Sequence, residues 1–219
     1  MQQRVGGAGD RCGLLDSSQE QPLTAGQADM QDARLYADLA LASPPPADVP
    51  DFAAGIDDAA AACLGLGLPE AAERHLRLAG LCYHREEESL AHLQAAWEAA
   101  PGHAAVYIGL YRFYFYKNRL REALDVARDC LKKAARDNGF SENWRNVKAA
   151  DADFGSFDAV LPRFFLFTLK AYGYLHLRLG QLDEGRAAIE KLLELDPSDK
   201  LGGKVLLNVL ERQGDEYED

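Results

Sequence analysis

The chain of 219 residues has few cysteines, no long apolar run and little of the residue alternation that marks β-strands. Cys12, Cys63, Cys82 and Cys130 lie far apart without a C-x-x-C pair, and the five histidines show no ligand spacing. Three of the cysteines sit inside helical patterns and are predicted to be buried thiols, and we expect neither a metal site nor a disulfide. No phosphate loop, nucleophile elbow or paired acid and base is visible, so we expect no enzymatic activity and no cofactor.

Basic residues are also scarce relative to acidic ones, 24 against 35, which gives a formal charge of −11. A field of that sign repels the phosphates of nucleic acids. The N-terminus lacks the basic start and apolar run of a signal peptide, and the sequence holds no stretch of about 18 apolar residues that would span a bilayer. We therefore expect a soluble, cytoplasmic protein that binds neither nucleic acid nor membrane.

From about residue 51 onward, Ala, Leu, Glu and Arg recur at helical spacing. This periodicity predicts an all-α domain over residues 51–212, with short connections that make neighbouring helices antiparallel. Residues 1–50 are rich in Gly, Gln, Asp and Ser and predict a mostly disordered tail, in which a short helix over 28–42 stays open. Residues 213–219 form an acidic tail. The helices are expected at about 51–64, 69–83, 87–100, 104–117, 120–136, 161–179, 182–195 and 201–212.

One pattern repeats along the helical domain. The segments Asn118–Ala123 and Gly180–Gly185 have the same arrangement of polar, apolar and small residues, and Pro101 and Pro197 each end a similar helix. The pattern resembles the tetratricopeptide repeat (TPR), a helical hairpin of about 34 residues. The resemblance implies a TPR-like α-solenoid of about three helical hairpins. The units begin at Glu70, Ala104 and Leu166, and residues 201–212 form a C-terminal capping helix, in which we expect Leu201, Val205, Leu206 and Val209 to face inward.

The last two units are separated by more than one repeat, which assigns residues 138–165 to an insert. This segment carries four aromatic residues, Phe140, Trp144, Phe154 and Phe157. Disordered linkers are poor in aromatics, so we expect an ordered, partly helical insert that packs on the repeats. A lid over a partner-binding groove stays open as the alternative.

In the TPR family, the first helix of each hairpin lines a concave groove. Aromatic and arginine side chains are frequent anchors of interfaces, so the resemblance implies a groove for a protein or peptide that is apolar with acidic groups. Two alternatives stay open: the aromatics are core residues, or the cations pair with Asp151, Asp153 or Asp158 of the insert. The partner-binding residues carried over to this sequence are Arg74, Arg112, Phe115, Tyr116, Phe167, Lys170, Tyr174 and Arg178.

The resemblance favours an interaction scaffold or chaperone-like adaptor in a bacterial cytoplasm. A second copy of the chain stays open as a partner. The run from Leu93 to Tyr116 is similar to tetratricopeptide proteins encoded beside nitrogen-fixation genes in proteobacteria, so an accessory factor for nitrogenase assembly is one alternative. A chaperone of a type III secretion system is the other, because some of these contain three such repeats.

Overall fold

The computed structural model describes residues 67–156 and 159–215, with side chains through residue 210. In these ranges the chain is helical and has no strand, which confirms the all-α prediction there. Each helix begins and ends within one helical turn of its expected position. The α-helices are α1 (Glu70–Leu81), α2 (Glu86–Ala99), α3 (Ala104–Tyr116), α4 (Leu120–Asp137), α5 (Val160–Arg178), α6 (Leu182–Leu195) and α7 (Gly203–Asp215). Two single-turn 3₁₀ helices, Trp144–Asn146 and Ala149–Asp151, lie between α4 and α5.

Several sequence predictions concern residues outside the described ranges. They include the tail over 1–50 with its open helix, the helix over 51–64, Cys12, Cys63, Phe157, Asp158 and the last four residues of the acidic tail. The final helix continues through Asp215 and so extends into the segment that we assigned to that tail. None of the described helices combines the length and apolar character that crossing a bilayer requires.

The repeated turn of the sequence is also a repeated backbone geometry. Asn118, between α3 and α4, has a φ of 56°, and Gly180, between α5 and α6, has a φ of 74°. In both turns the amide of the following residue donates to the carbonyl five residues back, at 2.8 Å after Asn118 and 2.9 Å after Gly180. Asparagine and glycine tolerate this left-handed conformation, which ends one helix and starts the next. The two hairpins therefore turn in the same way.

Consecutive helices pack against each other along the chain, and α1 also contacts α3. The crossing of α5 and α6 is especially close because glycines lie on both helices. A Cβ atom at Gly173 would lie 2.8 Å from Cδ1 of Ile189. A Cβ atom at Gly185 would lie 2.3 Å from Cδ2 of Leu177 and 3.0 Å from the Gly173 carbonyl oxygen. The missing side chains let the two backbones approach.

Helix α3 lies between two hydrophobic clusters. The first cluster joins α1 and α2 to one side of α3, which contributes Val106 and Phe113. The second joins α4, α5, α6 and the insert to the other side of α3, which contributes Tyr111 and Phe115. A helix that is covered on two sides needs apolar residues nearly all round. This double burial explains the aromatic run at the end of α3.

The insert packs against the second cluster. Trp144 and Phe154 are buried, and Phe140 is half-buried. The Phe140 ring lies 5.6 Å from Phe154 and 5.3 Å from Phe165 of α5, between ring centroids, while Trp144 lies 6.1 Å from Tyr172. Over residues 138–156 the insert is therefore ordered and partly helical, and these three aromatics attach it to α5.

Helix α7 turns a different side toward the core than we expected. Leu206 and Leu210 are buried, whereas Val205 is 54% exposed and Val209 is 44% exposed. The inward orientation expected for the two valines is wrong. The cause is Gly203, where a Cβ atom would lie within 3.1 to 3.3 Å of leucine side-chain atoms of α6. This close contact fixes the rotation of α7, and residues three and seven positions after Gly203 then face the core.

The close crossing of α5 and α6 leads to a stability prediction. We expect Gly185→Ala to lower the free energy of unfolding by about 1–3 kcal/mol, because the new methyl group meets backbone as well as side-chain atoms. Urea denaturation followed by circular dichroism measures the change. Gly109→Ala is the matched control: its Cβ atom would meet only methyl groups of Leu76 and Leu93, which can move, and alanine favours the helix by about 1 kcal/mol. Equal losses in both variants would contradict the prediction.

Candidate functional site

The eight residues expected to bind a partner lie on α1, α3 and α5, and they differ in exposure. Arginine and lysine side chains that are partly covered combine an apolar stem with a charged end. Such groups are available to a partner only where the charged end reaches solvent. Phe115 and Phe167 are buried, Arg112, Tyr116, Lys170 and Tyr174 are half-buried, and Arg74 and Arg178 are exposed.

Four of these residues form one connected group where α3 and α5 meet. The ring centroid of Phe115 lies 5.6 Å from that of Tyr116 and 5.9 Å from that of Tyr174. Tyr111 stacks beneath Phe115, at 5.6 Å between centroids and 15° between ring planes. Arg178 donates to the Tyr174 hydroxyl at 2.9 Å, and its guanidinium lies 5.8 Å from the Tyr174 ring centre. We call Tyr116, Tyr174 and Arg178, with Tyr111 and Phe115 beneath them, the aromatic face.

The end of α1 extends this group. The Lys117 ammonium lies 4.3 Å from the centre of the Tyr83 ring, a cation–π contact. Burial raises the pKa of Tyr83, and the nearby Tyr116 and Glu86 add to the increase. Sequence reasoning missed Tyr83 and Lys117 because both follow the last turn of their helices, outside the repeat positions that line the groove. The sequence feature that could have indicated them is an aromatic residue just after α1 and a lysine just after the aromatic run of α3.

Tyr111, beneath the surface of the aromatic face, is a neutral hydrogen-bonding group. Burial holds the pKa of Tyr111 well above its usual value of 10.0, and Tyr174 and Tyr116 add to the increase. A phenol with a raised pKa keeps its proton at neutral pH, so it donates and accepts hydrogen bonds and does not act as a base. This surface presents rings, hydroxyls and a guanidinium.

Lys170 contacts a different part of the chain. Its ammonium donates to the backbone carbonyl of Leu201, in the turn before α7. Burial lowers the pKa of Lys170, while the carboxylate of Asp199 opposes the decrease. The side chain thus helps to hold α7 against α5.

Arg112 is half-buried and its Nε atom is buried.

Phe167 lines a small cavity between α3, α4 and α5. The cavity has a volume of about 30 Å³, and its wall also includes Tyr111, Ile108 and Thr168. This space is about the size of one water molecule, too small for a metabolite or a side chain of a partner. Phe167 therefore contributes to packing at this place.

The acidic residues of the insert have partners close to them in sequence. The carboxylate of Asp151 accepts from the Lys148 amide at 2.9 Å, and that of Asp153 accepts from the Gly155 amide at 3.2 Å. These bonds cap the 3₁₀ turn and the loop after it. Local capping accounts for both residues without a pairing to the cations of α3 and α5.

A second polar group attaches the insert to α5 and α6. Arg145 forms an ion pair with Glu184, and the Tyr172 hydroxyl donates to the same carboxylate at 2.7 Å. The pKa of Tyr172 rises to about 12, through burial first and then through Glu184. Burial alone would raise the pKa of Glu184, but Tyr172 and Arg145 outweigh it and the pKa is lowered. Sequence reasoning missed this group because its members come from three separate elements.

His176 lies beside this group, and its protonation makes the stability of the fold depend on pH. Its ring is buried and lies 4.3 Å from that of Tyr172. Burial lowers the pKa of His176 below 6.5; Gln181 and Glu184 oppose the decrease, and the guanidinium charges of two arginines add to it. The unfolded chain therefore binds a proton at a higher pH than the folded chain does, so stability falls as the pH decreases below about 6.5.

We expect His176→Phe to reduce the slope of unfolding free energy against pH between about pH 7 and 5. The phenyl ring has a similar shape and does not titrate. Urea denaturation at a series of pH values measures the slope. His84→Gln is the matched control, because it removes a histidine from an exposed position and leaves the core intact. A wild-type slope in His176→Phe would contradict the assignment.

Comparison with known proteins gives one informative relative. No family model and no solved structure matches the chain. A protein of Azotobacter chroococcum mcd 1, described as an uncharacterized 19.8 kDa protein in the nifW 5′ region, is 38% identical over 119 residues. These residues are 54% of this chain and 67% of that protein. The chain belongs to the same family as this Azotobacter protein.

Proposed function

We propose that the protein is a TPR-like interaction scaffold that binds a polypeptide partner on its aromatic face. The observation that carries the proposal is the placement of Tyr116, Tyr174 and Arg178 at the ends of α3 and α5. Tyrosine and arginine are enriched among the residues that dominate binding energy at interfaces. Tyr116 and Tyr174 rest on the buried ring of Phe115, so little conformational entropy would be lost when a partner covers them.

The repeated hairpin geometry supports the TPR-like part of the proposal. Asn118 and Gly180 make the same turn, and the contact between Phe115 and Tyr174 brings the first helices of two hairpins side by side. Contact between α1 and α3 does the same at the other end. Stacked hairpins of this kind present their first helices on a common surface.

The charges around the aromatic face indicate the chemistry of the partner. Arg178 uses one N–H on Tyr174, and a guanidinium has five in all. Lys117 lies beside the same surface, in a chain whose formal charge is −11. A local cationic surface favours an acidic segment, and the rings favour apolar side chains. The proposed partner is an apolar peptide segment with carboxylates.

We propose that the role is binding and not catalysis. Tyr111 beneath the aromatic face and Tyr172 have raised pKa values, so neither of them is activated as a base or nucleophile. The carboxylate of Glu184 is held by Arg145 and Tyr172, in a group that attaches the insert. These properties suit a scaffold whose side chains keep their protonation states.

The relative from Azotobacter chroococcum favours a more specific version of this role. That protein is encoded in the nifW 5′ region. We propose that the partner of this chain belongs to nitrogen fixation and that the protein is a cytoplasmic accessory factor for that process. No observation favours the type III secretion chaperone over this role.

Affinity capture from the native cell tests the proposed surface. We expect Tyr174→Ala combined with Arg178→Glu to reduce recovery of the partner strongly, since anchor residues of this type are worth about 2 kcal/mol or more each. Quantitative mass spectrometry against the wild-type bait measures the loss. Arg121→Glu is the matched control, because this arginine is exposed on α4.

Equal recovery by the wild type and the double variant would contradict the proposal. Charge reversal of Lys170 is unsuitable for the test, because it would also remove the bond to the Leu201 carbonyl. Recovery of partners unrelated to nitrogen fixation, with the same dependence on Tyr174 and Arg178, would keep the surface and reject the accessory role.

A further inference from the structure

Three side chains with metal-binding atoms meet where α1 passes into α2. Cys82 follows the last residue of α1, Glu88 lies in the first turn of α2 and His92 lies one turn later. One ligand atom of each residue lies within 4.8 Å of the other two. Glu88 and His92 are four residues apart and so share one face of the helix. The turn brings the Cys82 sulfur to that face.

His75 of α1 lies behind His92 in this group. The Nδ1 atoms of the two rings are 3.2 Å apart, a hydrogen bond in which one ring donates and the other accepts. When His92 donates, its Nε2 atom carries the lone pair that a metal requires. Histidines that bind metals usually donate their other N–H to such a partner, which fixes the tautomer and the orientation of the ring. His75 is therefore placed as a positioning residue for His92.

The carbonyl that accepts from the Cys82 thiol has a second hydrogen-bond donor. The sulfur is buried and lies 3.8 Å from the carbonyl oxygen of Ala79, to which the thiol donates. The Ser89 hydroxyl donates to the same oxygen at 2.9 Å. When the sulfur binds a metal in place of its proton, the Ala79 carbonyl keeps this second donor. This buried carbonyl therefore remains satisfied.

Glu88 is accessible from solvent. It forms an ion pair with Arg85 at 2.6 Å, and the side chains of the glutamate and the arginine are 43% and 58% exposed. Ion pairs between exposed side chains contribute little to stability, so a cation that enters from solvent can replace Arg85 as the partner of the carboxylate. The site is thus open on one side and backed by a buried sulfur on the other.

We propose that Cys82, Glu88 and His92 bind one Zn²⁺ ion. A thiolate, an imidazole nitrogen and a carboxylate are the ligand types that zinc takes in proteins, with water at the fourth tetrahedral position. The charges of the thiolate and carboxylate together balance the divalent ion. The spacing of histidines and cysteines along the sequence does not reveal the site, because its ligands come from a turn and a helix and not from a C-x-x-C or H-x-x-x-H pair.

Metal titration of the full chain tests the site. Cys12 and Cys63 are replaced by Ser in every sample, so that Cys82 and Cys130 are the thiols that remain. We expect one Zn²⁺ per chain by equilibrium dialysis, and a thiolate-to-metal charge-transfer band when Co²⁺ is bound instead. Glu88→Gln, His92→Gln and Cys82→Ser should each weaken binding by at least about 100-fold, and His75→Gln by about 10- to 100-fold.

Cys130→Ser and His84→Gln are the matched controls. Cys130 is buried beside Thr168 in the other cluster, and His84 is exposed and outside the group. Both variants should bind as the parent does and keep the charge-transfer band. The proposal is overturned if the parent binds no stoichiometric metal, or if Glu88→Gln and His92→Gln bind it as tightly as the parent does. These two variants alter partly exposed side chains, so they decide the question even if Cys82→Ser fails to fold.

Discussion

Burial of α3 on two sides is the constraint that shapes the rest of the molecule. Val106 and Phe113 belong to the cluster with α1 and α2, while Tyr111 and Phe115 belong to the cluster with the later helices and the insert. Each cluster fixes the rotation of α3 about its own axis. Because side chains on a rigid helix move together, this rotation also positions the side chains that α3 contributes to the other cluster. Packing at native density leaves little freedom for either cluster to shift alone. The relative placement of α1 and α5 follows from this one helix.

The candidate site depends on the same helix. Phe115 is buried with the second cluster, yet its ring supports Tyr116 and Tyr174 at the surface. Hydrophobic packing thus sets the positions of groups that are available for binding. The insert contributes from the opposite direction: Arg145 holds Glu184, and this carboxylate holds Tyr172 of α5. One face of α5 is fixed by the polar group of the insert, while its last turn carries Tyr174 and Arg178.

Much of the fold can be predicted from local features of the sequence. The helix bounds follow from apolar periodicity, and the turns at Asn118 and Gly180 follow from residues that tolerate positive φ. The predictions that are wrong concern features set by contacts between elements that are distant in sequence. The exposed Val205 and Val209 satisfy the same periodicity as Leu206 and Leu210, and only the approach of Gly203 to α6 selects one side. The bond from Lys170 to the Leu201 carbonyl likewise arises from the tertiary arrangement, and so does the proximity of Cys82 to His92. The spacing of residues along the sequence does not reveal either contact.

The two clusters that meet at α3 differ in size, so the helices around them are expected to unfold with different cooperativity. The hairpin of α1 and α2 can separate from α3 by exposing the smaller cluster and the contact of Trp97 with Tyr107, whereas release of α5 disrupts α4, α6 and the insert at once. Sub-global opening of this kind has a lower free energy than complete unfolding. We therefore expect amide protons in α1 and α2 to exchange with solvent sooner than those of α5. Within the described ranges, the hairpin of α1 and α2 is thus the part whose rearrangement costs the least free energy.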